Sequence, residues 1–208
     1  MPDSVSRPAI DAEHDEAVRR GGERFKFLRE FVCHPEQIGS IVPSSHHLER
    51  RLVEIGDIAN APTVVELGPG TGGTTRAFLR ALRGDARLLA IDINPRFTSL
   101  LASVADPRLT VHLGSAVDLH TILARHGLSQ VDAVLSGIPF STMPASTARR
   151  ILEAVMLSLA PGGRFVAYQI LGTVGAIGRA VIGSPEVTLV LRNIPPVRIY
   201  TWRKQAAP

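Results

Sequence analysis

The chain has almost none of several things. Its 208 residues hold one cysteine, Cys33, which excludes an internal disulfide and any metal site built mainly from thiolates. No apolar run approaches the roughly 18 to 20 residues of a membrane span. Aromatics make up only 5% of the residues, so several of them near one site would be informative. Lysine is nearly absent, since 21 of the 23 basic residues are arginine. The first eighteen residues sum to −4 and carry one base, Arg7, unlike a signal peptide.

What is present suits a folded domain of ordinary size. Apolar residues at 45% and charged residues at 20% support a real core in a soluble or peripherally bound cytoplasmic domain. From residue 160 onward six basic residues face Glu186 alone, a net +5 that suits an anionic lipid surface, nucleic acid or mere solubility.

Periodicity divides the chain into a flexible tail (1–22), amphipathic or lid helices (23–57) and a ligand-binding catalytic domain (58–208). In 23–33, Phe25, Leu28, Phe31 and Val32 share one helical face, with Lys26, Arg29 and Glu30 opposite. Ser44 or Ser45 reads as the N-cap of a helix reaching about Ile55. Strands are expected at 63–67, 88–92, 109–112, 133–135, 164–169, 187–191 and 197–202, and helices near 74–83, 96–105, 116–125 and 145–159. The fold class is therefore α/β: a Rossmann-like, seven-stranded, mainly parallel sheet with a C-terminal antiparallel hairpin and helices on both faces.

The strongest local feature is the strand and glycine-rich turn running from Val64 through Glu66, Gly68, Pro69, Gly70, Thr71 and Gly72 to Thr75. Glycines there let a ligand approach the backbone, and free N–H groups at a helix start hold polar or anionic atoms. The next expected strand ends in Asp92, an acid placed to accept hydrogen bonds from both hydroxyls of a ribose. Gly68, Gly70 and Gly73 fit the dinucleotide fingerprint, weak evidence alone. Glu66, Gly68, Gly70 and Gly72 fit E-x-G-x-G-x-G, the pattern of S-adenosylmethionine-dependent methyltransferases. A carboxylate beside the loop favours the cationic sulfonium compound over a pyrophosphate. Ile93 is suitably apolar for an adenine face, and Ser115, the backbone of Ala116 or Asp118 is the candidate reader of the adenine amine.

The fourth strand runs into Ser136-Gly137-Ile138-Pro139-Phe140. Enzymes that methylate exocyclic adenine amines usually carry N/D-x-P-F/Y here, and Gly137 stands where the amide or acid belongs. Base methylation is disfavoured, and nucleic acid is not expected as a partner. His34, His46 and His47 have no supporting carboxylate or thiol cluster, so no metal is expected.

Taken with Phe27-Leu-Arg-Glu-Phe31, Gly39-Ser-Ile-Val-Pro43-Ser44-Ser45 and Asn193-Ile-Pro195-Pro196, these motifs give a chain that resembles the bacterial phospholipid N-methyltransferases, themselves similar to rRNA adenine dimethylases. The resemblance covers about Arg24 to Lys204. It departs at Val197, usually alanine in that family, and at Tyr168-Gln-Ile170, which does not clearly reproduce its F-T-Y strand end. It implies S-adenosylmethionine as methyl donor, S-adenosylhomocysteine as product, and the amine of phosphatidylethanolamine or a related aminolipid such as ornithine lipid as acceptor. It implies work at the inner face of the cytoplasmic membrane. RNA adenine methylation and methylation of a soluble amine are the alternatives. Oligomeric state is not legible.

Under that reading Pro43, Ser44 and Ser45 close over the methionine end of the cofactor, or serve only as a cap. Helix 23–33 either covers the cleft or enters the bilayer through Phe25, Phe27 and Phe31, with Arg19, Arg20, Arg24, Lys26 and Arg29 at lipid phosphates. The growing ammonium would be accommodated by aromatic faces from Phe140, Tyr168, Tyr200 and Trp202 and by carbonyls of Ser136 to Ile138.

Overall fold

The computed structural model describes residues 45–205. One sheet of seven strands organises them: β1 (Thr63–Leu67), β2 (Arg87–Asp92), β3 (Leu109–Leu113), β4 (Val131–Ser136), β5 (Leu159–Gln169), β6 (Glu186–Val190) and β7 (Val197–Arg203), in spatial order β3-β2-β1-β4-β5-β7-β6. Strands β1 to β5 pair in parallel, while β7 lies antiparallel to both β5 and β6. From β1 the chain moves outward through β2 and β3, then returns to β4 on the other side. That reversal between β1 and β4 opens a crevice outside their carboxyl ends, where open α/β sheets bind ligands.

Six helices cover the sheet: α1 (His46–Gly56), α2 (Gly73–Ala81), α3 (Pro95–Ala102), α4 (Leu119–Arg125), α5 (Ala145–Ser158) and α6 (Thr173–Val181). Alternate strand residues separate into two apolar layers, as the period of two requires. Val65, Leu67, Val134, Phe165 and Ala167 pack with Leu123 of α4, Leu152 of α5 and Val174 of α6. Val64, Leu88, Leu135 and Val166 pack with Leu48 and Leu52 of α1 and Phe78 of α2. Ser45 caps α1, its side chain accepting from Leu48 N, and the helix ends on Asp57 in the left-handed region. The expected helix at 23–33 lies outside the described residues.

Three elements differ from expectation, the first being β5, which begins at Leu159 rather than 164. The stretch 116–125 splits into a 3-10 turn, Ala116–Asp118, and the shorter α4. Helix α6 is additional. Its Gly175 and Gly178 argue against a helix by propensity, but a Cβ at either would stand 2.3 Å from Tyr200 or Trp202 of β7. The helix needs glycine to lie that close to two large rings.

Candidate active site at the carboxyl ends of the central strands

Strand β1 delivers its last residues into the loop Gly68–Gly72, and α2 begins at Gly73. Gly68, Gly70 and Gly72 all have positive φ, where a side chain is strained, and two of them are also sterically closed. At Gly68 (φ 71°) a Cβ would meet the Ile138 Cγ1 at 3.1 Å and its backbone N at 3.3 Å, so the loop packs closely on the post-β4 turn. At Gly72 (φ 82°) it would stand 2.5 Å from Leu101 of α3. Gly70, by contrast, faces open space, the gap a bound ligand needs.

Asp92 ends β2 beside this loop. Its Oδ1 accepts from Asn94 N at 2.8 Å and its Oδ2 from Gly70 N at 3.3 Å. Two backbone donors thus fix the carboxylate and leave lone pairs for two further hydroxyl donors, which suits the vicinal diol of a ribose. The neighbouring Ile93 is 73% exposed, an apolar side chain left in solvent at the mouth of the crevice. Ser115 uses its hydroxyl to accept from Val117 N, Ala116 is buried and Asp118 is exposed.

Glu66 is wholly buried under the loop. Thr74 Oγ1 donates to its Oε1, and Thr75 Oγ1 donates to its Oε2 at 2.6 Å. Burial pushes the carboxyl up to about 7, against the two hydroxyl donors and helped by the charge of Asp92. Both threonines were visible as a pair opening α2, but only the fold reveals that they turn back onto β1.

Beyond β4, Ser136 Oγ accepts from Ile138 N, and Ile138 O accepts from both Gln169 Nε2 at 2.6 Å and Phe140 N at 2.9 Å. Tyr168 of β5 stands over Gly137: a Cβ at 137 would lie 2.6 Å from the phenol oxygen and 3.1 Å from Gly68 O. The same phenol oxygen is 3.4 Å from Thr74 Oγ1. Burial, then the Glu66 charge, push its ionisation upward. At the rim, Ser45 N donates to Asn193 Oδ1 at 3.1 Å, and Asn193 Nδ2 donates to Pro195 O at 2.8 Å, across the cis Ile194–Pro195 bond. Ser45, just before α1, and the Asn193-Ile-Pro-Pro motif, 148 residues away, are therefore one structural unit. Pro43 and Ser44 lie outside the described residues.

A family model described as "Methyltransferase domain" matches residues 64–163, which span the glycine loop, Asp92 and the post-β4 turn. An ornithine lipid N-methyltransferase of Singulisphaera acidiphila is 35% identical over 86% of this chain and 95% of its own length. The chain belongs to this family of lipid N-methyltransferases. It is an S-adenosylmethionine-dependent enzyme. The ribosomal RNA small subunit methyltransferase A of Caulobacter vibrioides is also 35% identical, but over 46% of this chain and 36% of its own length. The fold is shared with the N-methyltransferase NodS of Bradyrhizobium japonicum, at TM-score 0.62 and 14% identity over 76% of this chain and 94% of that one. It is shared too with a Burkholderia thailandensis 1,6-didemethyltoxoflavin-N1-methyltransferase, at TM-score 0.61 and 18% identity over 97% and 93%.

In the methyltransferase, three aromatic expectations are corrected. Phe140 is fully buried in the layer of α4, α5 and α6 and offers no face to a ligand. Tyr200 and Trp202 are buried in the same layer, Trp202 stacking on Phe165 at 5.3 Å and donating Nε1–H to Gly183 O. Their rings brace the sheet. Tyr168 packs on the other layer, with α1 and α2. The Ile138 carbonyl is also withdrawn, because two donors already occupy its lone pairs.

Proposed function

We propose that the methyltransferase acts on the head-group amine of an aminolipid, with ornithine lipid or phosphatidylethanolamine as acceptor, at the cytoplasmic face of the membrane. The observation that carries this is the span of the match: the lipid enzyme is covered almost from end to end, the RNA enzyme over little more than a third. The acceptor pocket agrees, because position 137 has no room for the amide or acid that a base amine uses.

Bound S-adenosylmethionine supplies an electrophilic methyl group on a positively charged sulfur. Asp92 accepts from its ribose hydroxyls, and Ile93 packs on its base, which Ser115 and Ala116 read. Gly68, Pro69, Gly70, Thr71 and Gly72 hold the amino-acid portion close to backbone, over the buried charge of Glu66. Pro43, Ser44 and Ser45 close that end. Ser136, Gly137 and Pro139 shape the turn where the amine is presented, and Tyr168 stands against it. Holding the amine in line with the methyl group supplies most of the rate.

The lipid surface is met at an edge of the sheet. Leu191 (69% exposed) and Ile194 (79%) flank Asn193, with Arg192 and Arg198 exposed beside them. Apolar side chains among arginines suit a bilayer with anionic head groups. No helix among the described residues is long and apolar enough to cross a membrane.

The test is incubation of the protein with labelled S-adenosylmethionine, mixed liposomes and RNA, followed by chromatography of each fraction. Label in phosphatidylethanolamine or ornithine lipid supports the assignment. Label confined to RNA, or to a soluble amine, overturns it.

A further inference from the structure

We propose that the Tyr168 hydroxyl receives the hydrogen bond of the acceptor amine, and that the proton this amine sheds leaves through Tyr168 and Thr74 to Glu66. The inference rests on the reading above that the acceptor is an amine, and it assigns the residue that deals with its N–H.

The geometry has two parts. Tyr168 Oη occupies the volume that a side chain at 137 would need, 2.6 Å from an ideal Cβ there. The phenol oxygen thus stands in for the side-chain oxygen that base-methylating enzymes carry at that position. Behind it lies a hydroxyl path inward: Tyr168 Oη to Thr74 Oγ1 at 3.4 Å, then Thr74 Oγ1 to Glu66 Oε1.

A count of protons gives the path its direction. Thr74 has one hydroxyl proton and donates it to Glu66, so toward Tyr168 it can only accept. Tyr168 then donates inward, and the lone pairs of its oxygen are left for a donor in the crevice. Thr75 holds the other oxygen of Glu66, so the carboxylate is fixed in place. The phenol remains protonated, since burial raises its ionisation, and it relays rather than holds the charge.

A head-group amine in water is mostly an ammonium at neutral pH, like lysine near 10.4. One N–H bond of that ammonium breaks as its proton moves to Tyr168 Oη, the Tyr168 proton moves to Thr74 Oγ1, and the Thr74 proton moves to Glu66 Oε1. The outcome is a neutral amine with a free lone pair, a neutral phenol, a neutral threonine and a protonated Glu66. No other reactant is required. Between turnovers the proton returns by the same hydroxyls to solvent. Glu66 suits the task with its carboxyl pushed up to about 7 by burial. Facing it are Asp92 of β2, whose charge raises it further, Tyr168 of β5, and the hydroxyls of Thr74 and Thr75 on α2.

The experiment uses the full chain as wild type, Tyr168→Phe, Thr74→Val and Thr74→Ser. Methyl transfer is followed from about pH 5.5 to about 8.5 on vesicles of phosphatidylglycerol with phosphatidylethanolamine or ornithine lipid, and on RNA. S-adenosylhomocysteine affinity is measured by calorimetry. Tyr168→Phe and Thr74→Val should each lower kcat by about a hundredfold while affinity changes less than about twofold. Thr74→Ser, which keeps the hydroxyl, should regain most of the rate and the pH profile of the wild type. Wild-type kcat in Tyr168→Phe, or Thr74→Ser as impaired as Thr74→Val, overturns the relay. Label in RNA alone would sink the lipid assignment, and the same variants would then decide the relay on that amine. Should no acceptor take label, carbon-13 NMR titration of the Glu66 carboxyl decides: Tyr168→Phe must raise its midpoint, and an unmoved midpoint removes Tyr168 from the path.

Discussion

Two carboxylates beside one glycine loop are asked to do different things, and their surroundings separate them. Asp92 is buried but is oriented by two backbone N–H groups. Glu66 has no exposure and only hydroxyl donors. Asp92→Ala removes a charged acceptor worth about 1.5 to 3 kcal/mol, so S-adenosylmethionine affinity should fall by roughly ten- to a hundredfold in equilibrium dialysis. Normal affinity would free the ribose from Asp92. For Glu66 the prediction concerns stability against pH. Its folded value, about 7, lies above its ordinary 4.5. A carboxyl raised in this way supports the fold fully below about pH 4.5, and that support is lost as pH climbs through 7. The loss is about 3 kcal/mol for this gap. Unfolding of the wild type minus that of Glu66→Gln, measured by urea titration from about pH 4.5 to about 8, should decline by that order. A flat difference would mean that Glu66 ionises as an exposed acid does.

At the level of elements, the parallel strands were legible because short apolar runs rich in β-branched residues and leucine, separated by helical spacing, leave little choice. The glycine loop was legible because its chemistry is set by neighbours close in sequence, and Asp92 because it closes the next apolar strand, although the Gly70 N–H that orients it lies 22 residues away. Helix α6 was not. Gly175 and Gly178 look like breakers until β7 places Tyr200 and Trp202 against them. The same two rings, and Phe140, read as lining for a cation because sequence cannot say which sheet face a residue occupies once a strand end or turn intervenes. The Tyr168–Thr74 approach joins residues 94 apart, and no local spacing predicts it. Gly178→Ala tests the packing explanation. Alanine gains up to about 1 kcal/mol of helix propensity, yet a methyl 2.3 Å from the Trp202 ring overpacks the layer by about 1 to 3 kcal/mol. Net destabilisation in urea is expected. A stabilised variant would show that α6 has room to move outward.

Across the described residues the proposed cofactor crevice, Tyr168 and the Ser45–Asn193 contact all lie at the carboxyl-end side of the sheet, and the exposed apolar residues of the β6–β7 connection sit beside that contact. An enzyme whose acceptor is anchored in a bilayer gains from this arrangement, because docking the rim brings the head group to the crevice without lifting the lipid out. The proposed membrane contact should then have two separable parts. Leu191→Asp with Ile194→Asp removes apolar surface at residues 69% and 79% exposed, so the fold has little to lose. Vesicle sedimentation should weaken by at least about tenfold, since one buried leucine or isoleucine is worth about 1.5 to 3 kcal/mol. Arg192→Gln with Arg198→Gln should leave binding to neutral vesicles unchanged and flatten its dependence on anionic lipid, at about 1 kcal/mol per arginine, an effect that salt screens. A reduction with the apolar pair alone would mean insertion without charge recognition. Full vesicle binding by both double variants would place the attachment elsewhere on the chain, with the amphipathic pattern of residues 23–33 as the next surface to truncate.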